Sequence, residues 1–331
     1  NAAIIEGSKI FSKNLMKKYG IPTAAYEVFD NKDDALKYLE GCDYPTVIKA
    51  DGLALGKGVI IAKDEQEAEN AVRSMLLDGK FGKSGSEIVV EEFMTGPEVT
   101  VLAFTDGKTV KPMISSMDHK RAYDNDEGLN TGGMGTIAPN PLYTPDKQQE
   151  CMEKIFLPTI KAMAAEGRPF KGCLYFGLML TPNGAKVIEY NCRFGDPETQ
   201  VVLPLLETDI MDIIEAVWEE KLDTLDIKWS DKSCACVVMA SGGYPEKYET
   251  GKVISGLDEN GQCEGAFVYH AGTKLEDGKF LTAGGRVLGI TAYGDTLKEA
   301  LDTAYKAVDT ISFEKAHYRH DIGKKALSAL K

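Results

Sequence analysis

The sequence predicts an α+β protein assembled from antiparallel hairpins, and three observations carry that prediction. Turn residues at Asp106-Gly107 and Thr181-Pro182-Asn183-Gly184 join neighbouring β-rich runs, as hairpins require. Helical patterns come in separate blocks and do not alternate regularly with strands, which argues against a doubly wound parallel array. After Lys221 the pattern turns to strands, marking a boundary near residues 221–230.

Taken in order, Ser8 followed by apolar Ile10, Phe11, Leu15 and Met16 reads as a capped helix stopped by Gly20 and Pro22. Residues 33–40 read as a second short helix, 45–50 and 58–62 as strands joined by a glycine-bearing loop, and 64–77 as a helix. Its apolar face is Ala68, Ala71, Val72, Met75 and Leu76. Residues 87–93 form a strand, and 98–105 pair with 109–114. The stretch of about 25 residues after Ser115 lacks periodicity and is expected to be a functional loop. A helix from Asp146 to Ala165, a hairpin of 173–180 with 185–190, and helical patterns from Thr199 to Glu220 follow. Strands at 233–240, 265–271 and 285–292 and a helix from Thr296 to Thr310 complete the chain.

At 331 residues the chain has room for two or three compact units. Hydrophobic residues at 43% and charged residues at 27% exclude a disordered or fibrous chain. No apolar run approaches a spanning helix of about 18 residues, and no signal-peptide pattern opens the chain. The net charge of −13, from 38 basic and 51 acidic residues, argues against nucleic-acid or membrane-surface partners. An anionic ligand would need basic residues concentrated locally. Of seven cysteines, five are scattered singly, while Cys234 and Cys236 alternate within a strand-like run. That usage suits a reducing cytoplasm without structural disulfides.

Four segments could carry chemistry. Lys49-Ala50-Asp51-Gly52-Leu53-Ala54-Leu55-Gly56-Lys57-Gly58 can bring backbone N–H groups and two lysines to a phosphate, but equally suits a plain hairpin loop. In Glu189-Tyr190-Asn191, residues i and i+2 of a strand share one face, so two hard oxygens converge as Mg²⁺ ligands would. Two solvated polar residues would look the same, although adjacent Arg193 supplies the fork that a transferring phosphoryl group needs. The loop Asp118-His119-Lys120-Arg121 with Asn130-Thr131-Gly132-Gly133-Met134-Gly135 suits a small zwitterion and a polyphosphate, or solvent alone. Val89-Val90-Glu91-Glu92-Phe93 can pair its backbone with an adenine edge, with Glu98 on a ribose, or be an ordinary buried strand. His270, His317 and His320 fit no acid–nucleophile arrangement.

Together these segments resemble the phosphoribosylamine–glycine ligases of the ATP-grasp superfamily. The resemblance runs from Glu6-Gly7-Ser8-Lys9 through Gly242-Gly243-Tyr244-Pro245, His270-Ala271-Gly272-Thr273 and Gly284-Gly285-Arg286-Val287 to Tyr318-Arg319-His320-Asp321-Ile322-Gly323. Its most specific run is Arg193-Phe194-Gly195-Asp196-Pro197-Glu198-Thr199-Gln200; the glycine loop alone says only ATP-grasp.

The resemblance implies an ATP-grasp fold, two α+β subdomains sandwiching ATP, followed by a smaller C-terminal α/β domain. The implied divisions are a connecting helix over 1–24, a small subdomain over 25–92, a large one over 93–225 and the C-terminal domain over 226–331. Lys9 and Lys49 would meet the phosphates, and Gly56, Lys57 and Gly58 would cover them. Backbone around Glu91, Glu92 and Phe93 would hold adenine, and Glu98 the ribose. Glu189 and Asn191 would bind Mg²⁺ or Mn²⁺. Asp118, Lys120, Asn130, Thr131, Gly132 and Gly133 would bind substrate, Arg193 would offset phosphoryl charge, and Asp196 would orient an amine. The implied partners are glycine and 5-phosphoribosylamine, joined by a cytoplasmic monomer through a glycyl phosphate. A different ATP-grasp carboxylate–amine ligase would share the nucleotide residues but lack the Arg193–Gln200 run; an ATP-binding module without turnover is the other alternative. Two departures stand out. Leu129 replaces the family's proline, which is expected to change only loop stiffness. The start of the sequence, with Asn1-Ala2 reading as a tag remnant, leads to the expectation that the family's N-terminal α/β domain is missing and that the sugar phosphate is held more weakly as a result.

Overall fold

The computed structural model describes residues 1–52, 58–77 and 86–330; Gly56 and Lys57 of the glycine loop lie outside the described residues. Ser8 accepts the Phe11 N–H at 3.0 Å and caps the helix Lys9–Tyr19, which Gly20 ends at φ 67°. Serine satisfies an amide left over by the helix, and glycine enters the left-handed region without a Cβ clash. Strands β1 (Tyr26–Phe29), β2 (Thr46–Ala50), β3 (Val59–Ala62) and β4 (Ile88–Glu92) form an antiparallel sheet in the order β1-β4-β2-β3. Helices Lys32–Leu39 and Glu65–Leu76, capped by Asn31 and Asp64, bury Ala35, Leu39, Ala68, Val72 and Met75 with Ile48 and Ile88 of the sheet.

β5 (Glu98–Asp106) and β6 (Val110–Pro112) make the expected hairpin at Asp106-Gly107. The stretch after Ser115 is not the unstructured loop that its sequence suggests. It contains β7 (Met117–Asp118), β8 (Arg121–Tyr123), β9 (Glu127–Asn130) and β10 (Gly135–Ala138). Strands of two to four residues are too short to leave an alternating pattern. The helix expected over 146–165 is Pro145–Cys151, a π-helical segment Met152–Phe156 and Leu157–Ala165. Pro158 cannot donate to the ladder, which accounts for a local change of hydrogen-bonding pattern.

β11 (Lys171–Thr181) and β12 (Gly184–Asn191) form the second expected hairpin and join β5 and β6 in a sheet ordered β12-β11-β5-β6. The helix Lys9–Tyr19 buries Leu15 and Met16 in the core of this sheet, with Val101, Phe156, Phe176 and Val187. The helical pattern over 199–220 splits into Thr199–Val202, a tight turn Leu203–Leu205 and the helix Ile210–Trp218. Pro204 interrupts the first part, and Asp209 starts the second by accepting the Met211 N–H at 2.8 Å.

The remaining strands are β13 (Ser233–Ser241), β14 (Phe267–His270), β15 (Thr273–Glu276), β16 (Lys279–Thr282), β17 (Arg286–Gly294) and β18 (Ala316–His317). A third antiparallel sheet is ordered β14-β17-β13-β10-β7, with β18 on β13. The helix Leu297–Val308 packs Ala300, Leu301 and Ala304 against its core. β7 and β10 thus tie the middle of the chain to the C-terminal sheet and set residues 119–134 between two sheets. All seven cysteines are free thiols, and Cys234 and Cys236 are buried in β13. No helix among the described residues is long and apolar enough to cross a membrane.

Candidate active site

Two adjoining cavities lie between the small sheet and the β12-β11-β5-β6 sheet. The first, about 380 Å³, is lined by Lys9, Lys13, Lys49, Arg193, Glu6, Glu91, Glu189 and Asn191, with Gly52 and Gly58 at its edge. Four of those side chains carry positive charge in a protein of net charge −13, so the basic residues are concentrated locally after all. Lys9 Nζ donates to the Gly52 carbonyl oxygen at 2.8 Å. Burial lowers its pKa, opposed by the Glu189 carboxylate. Lys49 Nζ donates to Glu91 Oε2 at 2.9 Å and faces the Ile188 carbonyl oxygen at 3.5 Å.

The second cavity, about 340 Å³, has apolar walls from Val47, Ile61, Phe93, Met94, Met179 and Ile188. Its polar lining includes Glu91, Glu92, Glu98, Lys120, Asn130, Thr131, Gly132, Asp196 and Glu198. A slot with apolar faces and polar edges suits a planar base and a sugar. The Glu91 side chain, however, points into the fold and is 3% exposed, while Glu92 reaches out to pair with Lys186 at 2.6 Å.

Glu189 and Asn191 lie on one face of β12, flanking buried Tyr190. Asn191 Nδ2 stands 3.4 Å from Glu189 Oε1, so one ion could touch both residues. Among the described residues no cluster of three His, Cys, Asp or Glu makes a closed metal cage. One carboxylate and one amide leave coordination positions free for ligand oxygens, the donor set suited to Mg²⁺ bound with phosphates. The residues therefore fit such an ion.

The loop segments converge on a single junction. Asp118 pairs with Lys120, and its Oδ1 accepts the Thr136 hydroxyl at 3.3 Å. Thr131 N–H donates to the Lys120 carbonyl oxygen at 2.7 Å, and the Gly133 N–H donates to the Thr131 hydroxyl at 3.0 Å. Gly133 has φ 115°, and a Cβ there would lie 2.6 Å from Asp118 Oδ1 and 2.5 Å from Pro197 Cδ, so no other residue fits. Arg193 extends toward solvent with its Nε 3.9 Å from Glu6 Oε1.

Sequence reasoning did not single out Lys13, Tyr175, Glu198, Tyr244 or Arg286. Glu198 is buried, accepts from the Tyr175 hydroxyl at 3.0 Å and faces Lys120 at 3.7 Å. Burial and the nearby Asp118 carboxylate push its pKa up. Tyr244 accepts the Gly132 N–H at 3.0 Å, and Arg286 donates to the Gly132 carbonyl at 2.8 Å. Both come from the C-terminal sheet region, far away in sequence. Only the motifs around them were visible, without a partner to point to.

The fold and this cavity pair define an ATP-grasp protein: an antiparallel small sheet set over a larger one, with lysines and a Glu–Asn pair between them. Residues 7–199 match the model of the phosphoribosylglycinamide synthetase ATP-grasp (A) domain, and residues 234–325 match its C domain. The chain belongs to the phosphoribosylglycinamide synthetase family. It is 52% identical to a phosphoribosylamine–glycine ligase of Caldanaerobacter subterraneus over 97% of its own length and 76% of that protein's. With the enzyme of that name from Clostridium acetobutylicum it shares 48% identity over 97% and 76% of the two chains. The crystal structure of phosphoribosylamine–glycine ligase from Thermotoga maritima superposes with a TM-score of 0.86 at 34% identity, covering 97% of this chain and 80% of that one. The biotin carboxylase domain of Hydrogenobacter thermophilus 2-oxoglutarate carboxylase, solved with MgADP, shares the fold alone, with a TM-score of 0.68 at 17% identity over 95% and 68% of the chains.

Proposed function

We propose that the protein is an ATP-dependent ligase that joins glycine to 5-phosphoribosylamine, giving glycinamide ribonucleotide, ADP and phosphate in purine biosynthesis. The observation that carries this reading is the meeting of Lys9, Lys49, Arg193, Glu189 and Asn191 in one cavity that opens onto Asp196 and the Asn130–Gly133 segment. Family membership over both matched domains supports it.

In this reading ATP lies across both cavities, its base in the apolar slot and its phosphates against Lys9 and Lys49. Glu98 holds the ribose, and backbone around Glu91 to Phe93 holds adenine. Glu189 and Asn191 hold Mg²⁺ or Mn²⁺, which neutralises phosphate charge when bound. A glycine carboxylate oxygen attacks the γ-phosphorus, the bond to ADP breaks, and glycyl phosphate forms. The phosphoribosylamine nitrogen then attacks the acyl carbon, phosphate leaves and the nitrogen loses a proton. Arg193 and the lysines offset repulsion between the anions, which is the main obstacle to the first step. Asp118, Lys120, Thr131 and the Gly132-Gly133 backbone form the substrate end, and Asp196 orients the amine. The setting is the cytoplasm, where the free thiols stay reduced.

The test measures ADP release while ATP, Mg²⁺, glycine and fresh phosphoribosylamine are withheld one at a time, with the product identified by mass. Glycinamide ribonucleotide should form only in the complete mixture. ADP release indifferent to glycine would sink the reading.

A further inference from the structure

We propose that Lys13 is a positioning residue of the phosphate end: it takes up the charge of Glu91, so that Lys49 beside it stays available to the anionic ligand. The inference rests on the ATP-binding reading above.

Lys13 stands on the second turn of the helix Lys9–Tyr19, and its side chain is 2% exposed. Its Nζ lies 3.0 Å from Glu91 Oε2, and Lys49 Nζ lies 2.9 Å from that same oxygen. Lys13 Nζ also donates to the Thr23 hydroxyl at 2.8 Å, which donates to the Val187 carbonyl oxygen at 2.8 Å. The ammonium is thereby fixed between the helix, β4 and β12, with the Tyr26 ring centroid 5.7 Å away. Lys13 has a set of partners that leaves it little freedom; Lys49 is anchored mainly through the shared oxygen.

Burying an ion pair is costly, and the ordinary compensation is one cation for one anion. Here two ammonium groups share a single carboxylate, and Glu91 Oε1 is buried with no protein partner. The cluster keeps one positive charge in excess on a cavity wall that Lys9 also lines. Such an excess is compensated when an anion occupies the cavity. Without Lys13, Glu91 would neutralise Lys49 alone, and the excess would vanish. Burial lowers Lys13 to about 8, with Glu91 opposing the shift, so the ammonium is charged at pH 7. The charge count and the geometry agree: Lys13 does not need to touch the ligand to determine what Lys49 can do.

The experiment is calorimetric titration of ATP with Mg²⁺ into the full chain at pH 7, with ligand-free thermal midpoints measured in parallel. Lys13→Met should weaken ATP binding at least tenfold, and Lys13→Arg should stay within threefold of wild type. The double variant Lys13→Met with Glu91→Gln removes one charge of each sign and should bind at least threefold more tightly than Lys13→Met alone. In turnover, the KM for ATP should rise while the KM for glycine stays put. Should Lys13→Met fail to fold, Lys13→Gln, which can still donate to Glu91, carries the same expectation. Neutral variants binding ATP within threefold of wild type would overturn the proposal, as would a double variant no tighter than the single. A wild-type protein that does not bind ATP would overturn the ATP-binding reading, and this inference with it.

Discussion

Arg286 and Asp196 meet where the C-terminal sheet touches the cavity edge lined by Asn130, Thr131 and Gly132. Arg286 Nη2 donates to Asp196 Oδ2 at 2.9 Å, and Nη1 donates to the Asp196 carbonyl oxygen at 2.9 Å. The same Nη1 reaches the Gly132 carbonyl oxygen at 2.8 Å, so one guanidinium fixes both a carboxylate and the loop facing it. The close approach needs Gly132, because a Cβ there would lie 2.9 Å from the Arg286 guanidinium carbon. Gln200 Nε2 holds the other oxygen of Asp196 at 2.8 Å. An aspartate so constrained is held in one orientation, as the amine-orienting role proposed for it would require.

Arg286→Met should therefore lower kcat/KM for phosphoribosylamine while leaving ATP affinity near wild type. Misplacement of a catalytic constellation by about 1 Å can cost about a hundredfold, so a loss of tenfold to a hundredfold is expected. Arginine lies at the start of β17 and is partly exposed, so the fold should survive the change. Steady-state kinetics beside an ATP titration separates the two effects. A variant with unchanged kcat/KM for the amine would show that the guanidinium serves only to join the domains.

A second prediction concerns β12. Glu189→Gln or Asn191→Leu should raise the Mg²⁺ concentration needed for half-maximal rate with little change in thermal midpoint. Losing a contact to a charged partner costs about 1.5–3 kcal/mol, which is roughly ten- to a hundredfold in affinity. Glu189 is exposed on its strand, and surface substitutions usually change stability by less than about 0.5 kcal/mol. Rate curves against Mg²⁺ that superpose for wild type and both variants would remove these residues from the metal site.

The elements legible in the sequence were those with a strong local cause. Ser8, Asn31 and Asp64 cap the helices that follow them, and Asp106-Gly107 turns a hairpin. β7 to β10 were not legible because each is only two to four residues long; β8 pairs nearby with β9, but Gly135 to Ala138 also pair with the distant Cys234 to Val237. The hairpin of β15 and β16, turned at Asp277-Gly278, was overlooked although its turn residues are typical. For the site, alternation on β12 correctly placed Glu189 and Asn191 together, since that depends only on the strand's period. Lys13 and Arg286 were hidden for the opposite reason. Each matters through a partner, Glu91 or Asp196, that only the folded chain brings within reach.

The last prediction is an acid-sensitive joint at His119. Its ring is buried between β10 and the C-terminal segment: Nδ1 lies 3.0 Å from the Gly135 carbonyl oxygen, and Nε2 accepts the Gly323 N–H at 3.1 Å. Those partners require the neutral ring with its proton on Nδ1. A second proton would point at the Gly323 N–H and add a buried charge near Arg319. Burial accordingly lowers the pKa to about 4, opposed by the Gly135 hydrogen bond and reinforced by Arg319. The unfolded chain has an ordinary histidine near 6.5, so between about 6.5 and 4 it binds a proton that the fold excludes. Stability due to this group is complete above that window and falls as the pH drops through it, by roughly 3 kcal/mol in all. Urea unfolding at pH 7.5 and pH 5 should show the loss in wild type. His119→Asn keeps a donor near the Nδ1 position and cannot titrate; it should start less stable and lose less on acidification. Equal losses in the two proteins would mean that other groups govern the acid response and that His119 contributes nothing to it.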